Sequence, residues 1–360
     1  MASKKFRLGV FMPVGNNGWL MSKTAPQYKP TFELNRDVTL LAEEIGFDYV
    51  FSMAKWSGYG GETRFWEYTL ESLTLMAALA PLTSKLRLVA SVAPILIHPT
   101  IVAKMAVTLD DISGGRLGLN IVSSDHEFIR MGLYPEDFES YRHEYIDEWL
   151  RVMKLLWTED NVEFRGKYFR VDGYSSNPRP VQKPWPVIVY ATDSEGGFRF
   201  VANHCDEAFL RCGPNKNETS RMVKQMAADK GRTVKTQAHV TLIQGETDEE
   251  AERIVQGFRE GADLEAICNV YDTWYEGDKL KRGAEILNDS PSPRPVFYQT
   301  YPLIGGPQRI ADFIEDMAVN GDFDGILFSF PRYIEGLTKF KEQVMPLLEE
   351  RGLRKRGHDD

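Results

Sequence analysis

Eight short runs of apolar and β-branched residues punctuate this chain, at residues 8–14, 49–53, 86–93, 117–122, 187–191, 208–212, 238–243 and 325–330. Runs of that length, bounded by turn residues, read as buried parallel strands. Between them the apolar spacing becomes helical: Ile146, Trp149, Leu150, Met153, Leu156 and Trp157 fall on one helix face. Another helix is predicted to open after Gly306 with Pro307 in its first turn. It carries Ile310, Phe313, Ile314 and Met317 on one side and stops near Gly321, just before the last run. Eight strands alternating with helices predict one α/β domain over residues 1–360, a (β/α)8 TIM-type barrel rather than a doubly wound sheet. Two stretches break the rhythm, at about residues 158–186 and 257–302, and are expected to be insertions forming binding loops or lids.

Composition narrows the function classes. Hydrophobic residues make up 42% and charged residues 26%, enough apolar material for a sizeable core. A net charge of −9 and an isoelectric point near 5.4 argue against nucleic acid as the main partner, since phosphate binding needs clustered Lys and Arg. Cys205, Cys212 and Cys268 match neither a zinc ribbon nor a disulfide scaffold. The opening Met-Ala-Ser-Lys-Lys-Phe-Arg lacks the apolar stretch of a signal peptide, and no segment approaches the roughly 20 apolar residues of a membrane span. A soluble protein of the reducing cytoplasm is expected, with no membrane partner.

In such a barrel, chemistry sits where strands end and loops begin. The first run leads to Gly15-Asn16-Asn17-Gly18-Trp19, either a pocket mouth or a turn with a packed Trp. The second ends in Ser52-Met53-Ala54-Lys55-Trp56, where Lys55 either holds an anionic or carbonyl group or is solvated. The third carries Ser91 and leads to His98, an acid–base candidate or a structural histidine. The fourth gives Asn120, able to offer both a donor and an acceptor, then Asp125-His126-Glu127. With no second ligand cluster, no metal is expected there. After the fifth, Thr192-Asp193-Ser194-Glu195-Gly196-Gly197 opens a helix, giving an anion site from free amides and a hydroxyl, or a plain N-cap. Nucleophile-elbow, Walker and early dinucleotide-binding glycine motifs are absent from the sequence.

Three segments carry a resemblance: GVFMPVGNNGWLMSKTAPQYKPTFELN (9–35), SMAKWSGYGGETRFWEYTLESLTLMAALA (52–80) and TLDDISGGRLGLNIV (108–122). Through them the chain resembles the luciferase-like flavin-dependent monooxygenases over nearly its whole length, and among these most the pyrimidine oxygenases. The resemblance implies a TIM-type barrel and reduced FMN supplied by a separate reductase that uses NADH or NADPH. It also implies dioxygen as co-substrate, a small heterocycle such as a pyrimidine or cyclic amide as substrate, and a homo-oligomer. Carried over by position, it implies isoalloxazine contacts from Ala54, Lys55, Asn120 and Glu127, with Ser91 where the family has a Thr near the oxygen-reactive face. It implies phosphate contacts from Ser194, Glu195 and neighbouring amides, with Arg142 and His143. Asn120, Ser91 and Lys55 are then the expected catalytic set.

Three positions depart from the pyrimidine oxygenases. His143 replaces a Tyr, Asp193 stands where they have Gln, and Ser123-Ser124-Asp125 replaces a Thr-Gly-Trp in a shorter loop, losing a substrate-stacking Trp. Asp193 either sits beside the phosphate or caps the helix. An alkanesulfonate or dimethyl sulfone monooxygenase, a deazaflavin-dependent oxidoreductase and a catalytically silent flavin-binding protein therefore stay open as alternatives.

Overall fold

The computed structural model describes residues 6–123, 127–135, 137–213, 216–274 and 294–354. Eleven strands are present among them: β1 Arg7–Phe11, β2 Tyr49–Phe51, β3 Arg87–Val92, β4 Leu117–Ile121, β5 Val162–Arg165, β6 Arg170–Tyr174, β7 Val187–Ala191, β8 Glu207–Arg211, β9 Lys235–Gln244, β10 Tyr301–Gly305 and β11 Gly325–Ser329. The order β11-β1-β2-β3-β4-β7-β8-β9 runs parallel throughout, and β9 pairs back onto β11, closing an eight-stranded barrel. Each of the eight apolar runs holds one barrel strand. β9 is the long one: its first half sits between β8 and β11, and its second half pairs with β10, which takes over the β8 side above the barrel.

Two apolar layers result. Inside the barrel, Phe11, Tyr49, Phe51, Val89, Val189 and Leu327 pack together. Room for Tyr49 comes from Gly9 on the neighbouring strand, where an added Cβ would lie 2.2 Å from the ring. Outside, the strands' other faces and the helices form the larger core. The helix Phe138–Thr158 buries Ile146, Trp149, Leu150, Met153, Leu156 and Trp157 as the spacing predicts. Its two indoles donate to the carbonyls of Ile97 (2.9 Å) and Ala103 (3.1 Å), fixing it against the barrel. The helix Pro307–Val319 buries Ile310, Ile314 and Met317, while Phe313 stacks on Tyr301.

The first interruption of the rhythm contains the antiparallel hairpin β5–β6. Its turn is held by the buried Glu148 carboxylate of the long helix, which accepts the amides of Lys167, Tyr168 and Phe169. The second contains the helix Leu264–Trp274 and ends in a segment laid over the barrel mouth. There Met21 donates to the Val296 carbonyl and Tyr298 to the Trp19 carbonyl, so the two loops form one lid-like layer with its own aromatic core. No helix among the described residues is long and apolar enough to cross a membrane.

Candidate active site

At the C-terminal ends of the strands lies a cavity of about 350 Å3. That is within the range of small-molecule sites. Its inner wall is Phe11, Phe51 and Phe209, and its outer wall is Trp19, Trp66 and Tyr298 from the covering loops. Trp19 meets Trp66 edge-on at 4.9 Å, and Trp66 meets Tyr298 at 4.4 Å. The Trp66 indole donates to the Gly18 carbonyl at 2.7 Å. Glycine is needed in this turn for conformation and space: Gly18 has φ +61°, and a Cβ at Gly15 would lie 2.9 Å from the Trp66 ring.

Asn120 and Ser91 are register partners on β4 and β3, so both side chains point inward side by side. The Ser91 hydroxyl donates to the Ser52 carbonyl at 2.6 Å, which leaves its oxygen to accept from Asn120 Nδ2 at 2.8 Å. Orientation follows from this chain, because a hydroxyl has one proton to give. Asn120 Oδ1 is therefore turned away from Ser91 and has no hydrogen-bond partner among the described residues, on a residue 3% exposed that lines the cavity. A buried amide oxygen without a partner is uncommon and points to a ligand N–H. Sequence reasoning gave Asn120 both roles freely, whereas here one amide hydrogen is committed to Ser91 and the open group is the acceptor.

Lys55 follows β2 and reaches the same cavity, 6% exposed. Its ammonium lies 3.5 Å from Glu127 Oε2 and donates to the Tyr59 hydroxyl at 3.3 Å, and Tyr59 shares a 2.8 Å hydrogen bond with Tyr298. Glu127, 2% exposed, does not line the cavity. Its Oε2 accepts the amides of Trp56 (2.9 Å) and Ser57 (2.6 Å), so it holds the Ala54–Ser57 loop in place. Ala54, on that loop, does line the cavity.

The other end of the cavity is polar. Ser194 caps the helix Glu195–His204 through Gly197 N, at 3.2 Å, leaving other first-turn amides facing outward. Gly197 is required because a Cβ there would collide with Thr192 Oγ1. Arg142, Ser194, Thr192 and Ser123 line this end. Asp193 does not cap the helix: its carboxylate pairs with Arg211 at 3.0 Å, a cation at the end of β8 that also faces the cavity. Charged lining residues are thus Lys55, Arg142 and Arg211 with Asp193, and Lys55 and Arg142 also have carboxylate partners outside the lining, Glu127 at 3.5 Å and Glu139 at 2.5 Å.

Two predicted phosphate residues stand behind this wall rather than in it. The Glu195 side chain turns back to Arg199 at 2.5 Å, and the residue does not line the cavity. His143 packs against Gly196, where an added Cβ would come within 3.1 Å of the ring, and its Nε2 is buried without a partner among the described residues. Burial, then the nearby Arg142, lower the His143 pKa, against an opposing pull from Glu139. His98 is a helix cap bonded to Thr100, its ring against Phe169, and lines no part of the cavity. Asp125 and His126 lie outside the described residues, as does Ser124.

Three cavity residues were missed by reading strand ends. Arg211 closes β8 inside an apolar run, and Tyr298 follows a Pro-rich segment with no periodic signal. His239 lies within β9, 4% exposed, bonded through Nε2 to Ser329 Oγ at 3.0 Å and set among Phe11, Trp19 and Phe209. Burial drives its pKa down to about 3, so the ring is neutral. Among the described residues, no group of three or more His, Cys, Asp or Glu side chains is placed to hold a metal.

The chain matches the luciferase-like monooxygenase family over residues 6–322 and belongs to that family. It is a monooxygenase. It is 36% identical over 354 residues to pyrimidine monooxygenase RutA of Acinetobacter baylyi, covering 96% of this chain and 95% of the relative. It is 38% identical over 356 residues to RutA of Caulobacter vibrioides, covering 96% and 99%. The riboflavin lyase RcaE, solved with modified FMN and riboflavin, superposes with a TM-score of 0.86 at 23% identity, covering 99% of this chain and 94% of that one. At that identity the likeness speaks for the fold.

Proposed function

We propose that this monooxygenase uses reduced FMN and dioxygen to oxidise a small heterocycle carrying an amide N–H, such as a pyrimidine or cyclic amide. The observation that carries the reading is the unpartnered Asn120 Oδ1 at the floor of a cavity whose far end gathers Arg142, Ser194 and a helix N-terminus. A planar ring system rich in N–H groups with an anionic tail suits that arrangement. Ala54, Lys55 and Asn120 would hold the ring system; Arg142, Ser194 and the Glu195 amide would hold the phosphate, with His143 supporting Gly196 from behind. Glu127 acts through the loop it fixes.

Reduced FMN supplies the electrons that activate dioxygen. The chain's own residues do the remaining work. Asn120 Oδ1 accepts a proton-bearing nitrogen and orients it; Ser91, its proton committed to Ser52, locks that orientation. The neutral ring of His239 and the surrounding aromatics keep the inner wall dry, which protects a reactive oxygen species from water. The Trp19–Trp66–Tyr298 wall offers the stacking surface for a flat substrate. A separate reductase using NADH or NADPH would deliver the flavin. The identity to the RutA relatives over nearly full length supports the pyrimidine class.

The test is turnover of uracil, thymine and a simple sulfonate with chemically reduced FMN under labelled dioxygen. One labelled oxygen atom in a pyrimidine product is expected. Label only in a sulfonate-derived product, or flavin oxidation with no labelled product at all, would overturn the substrate class.

A further inference from the structure

The opposite, N-terminal face of the barrel carries a second cavity, of about 230 Å3. It is lined where strands begin: Arg7 opens β1, Tyr49 β2, Arg87 β3 and Lys235 β9, with Lys85 and Arg116 beside them. Five cations face one carboxylate, Asp48, in a chain whose net charge is −9. That carboxylate is already taken by Arg354 at 2.6 Å and by the Leu8 amide at 2.9 Å.

The cations are not equivalent. Arg116 directs its guanidinium to the carbonyls of Ser113, Leu86, Ala80 and Thr83 and to the Thr83 hydroxyl, a structural role. Arg7 is bound by both oxygens of Glu207, at 2.6 and 3.1 Å, while its Nε is buried without an acceptor among the described residues. The Arg87 side chain has neither a hydrogen bond nor an ion pair among the described residues, although its backbone N–H donates to the Asp48 carbonyl at 3.1 Å, and its NH1 is buried. Burial is the largest influence on Arg87 and disfavours its charge; Arg7 adds to this, against the attraction of Glu207, Asp206 and Asp110. A guanidinium has five N–H donors in a fork suited to oxyanions, and leaving the buried NH1 of Arg87 without an acceptor is unfavourable.

We propose that this face holds an oxyanion site built on Arg87, with Arg7 Nε and Lys235 beside it, that takes phosphate or a phosphate monoester. The site is independent of the catalytic cavity, which lies at the other ends of the same strands. Phosphate supplies what the cavity lacks: acceptor oxygens for Arg87 NH1 and Arg7 Nε, and negative charge to offset the cation excess.

The test is calorimetric titration of inorganic phosphate at constant ionic strength into the full chain and its Arg87→Met, Lys235→Ala and Ser194→Ala variants. A saturable site is expected that survives Ser194→Ala, loses at least tenfold in affinity in Arg87→Met and several-fold in Lys235→Ala. Sulfate should compete and chloride should not. Thermal melts give a second readout: phosphate should raise the midpoint of the parent chain and leave Arg87→Met unmoved. In phosphate-free buffer, Arg87→Met should melt at or above the parent, because a largely buried guanidinium whose NH1 has no acceptor among the described residues has been removed. The proposal is overturned by no saturable site in the parent chain, by equal affinity in Arg87→Met, or by binding that Ser194→Ala alone abolishes.

Discussion

Replacing His239 with Gln should make the protein less sensitive to acid, and the size of the effect follows from where the ring sits. His239 is fully enclosed, bonded to Ser329 Oγ and surrounded by Phe11, Trp19 and Phe209, and burial takes its pKa from 6.5 to about 3. A folded-state value below the unfolded one means the unfolded chain binds the extra proton first. The contribution is therefore fully present above pH 6.5 and is lost as pH falls from there toward about 3. At about pH 5 the unfolded chain has gained roughly 1.5 units of proton-binding advantage, worth about 2 kcal/mol at 1.36 kcal/mol per unit. Gln fills similar space, keeps a donor and acceptor for Ser329, and does not titrate. Urea unfolding near neutrality and near pH 5 should show the parent losing about 2 kcal/mol more than His239→Gln across that interval. Equal losses in the two proteins, or a parent that becomes relatively more stable on acidification, would refute the reading of His239 as a buried neutral ring.

Other positions give sharper structural tests. Gly9→Ala should destabilise by about 1–3 kcal/mol, since its Cβ would strike the Tyr49 ring inside the barrel, and pairing it with Tyr49→Phe should not relieve the clash; thermal melts check this. Glu127→Gln should weaken the hold on the Trp56 and Ser57 amides and leave Lys55 without its carboxylate partner. A loss of about 1–3 kcal/mol in stability, with faster hydrogen exchange at the 54–57 loop, is expected. Arg211→Ala should leave the Asp193 carboxylate uncompensated at the cavity's polar end and weaken FMN binding. Asp193→Asn in the same background should restore it, as read by fluorescence titration.

Much of the barrel was written in the chain because strands covered on both sides carry apolar runs without interruption, and all eight such runs became barrel strands. The same rule found the site where a polar residue interrupts or follows a run, which is how Asn120, Ser91, Lys55 and Ser194 came to view. It failed where the signal is tertiary. His239 sits inside a run and looks like a strand residue until closure of β9 onto β11 places it beside Ser329. Tyr298 becomes a wall only because its amide bonds to Trp19, far away in the chain. The Asn120 orientation needs the Ser52 carbonyl across two strands, which no local pattern encodes. Asp193 was read as a phosphate neighbour or a cap, and its partner Arg211 emerges only when β7 and β8 lie side by side.

The central claim is that the cavity at the strand ends binds reduced FMN through Asn120 and Ser194. Anaerobic titration with reduced FMN, comparing the parent chain with Asn120→Leu and Ser194→Ala, tests it most directly. Saturable binding is predicted, weakened about tenfold or more by Asn120→Leu, through loss of the open Asn120 Oδ1 acceptor, and about fivefold by Ser194→Ala, through loss of the helix cap at the anion end. Unchanged affinity in both variants, or no binding of reduced FMN to the parent chain, would contradict it.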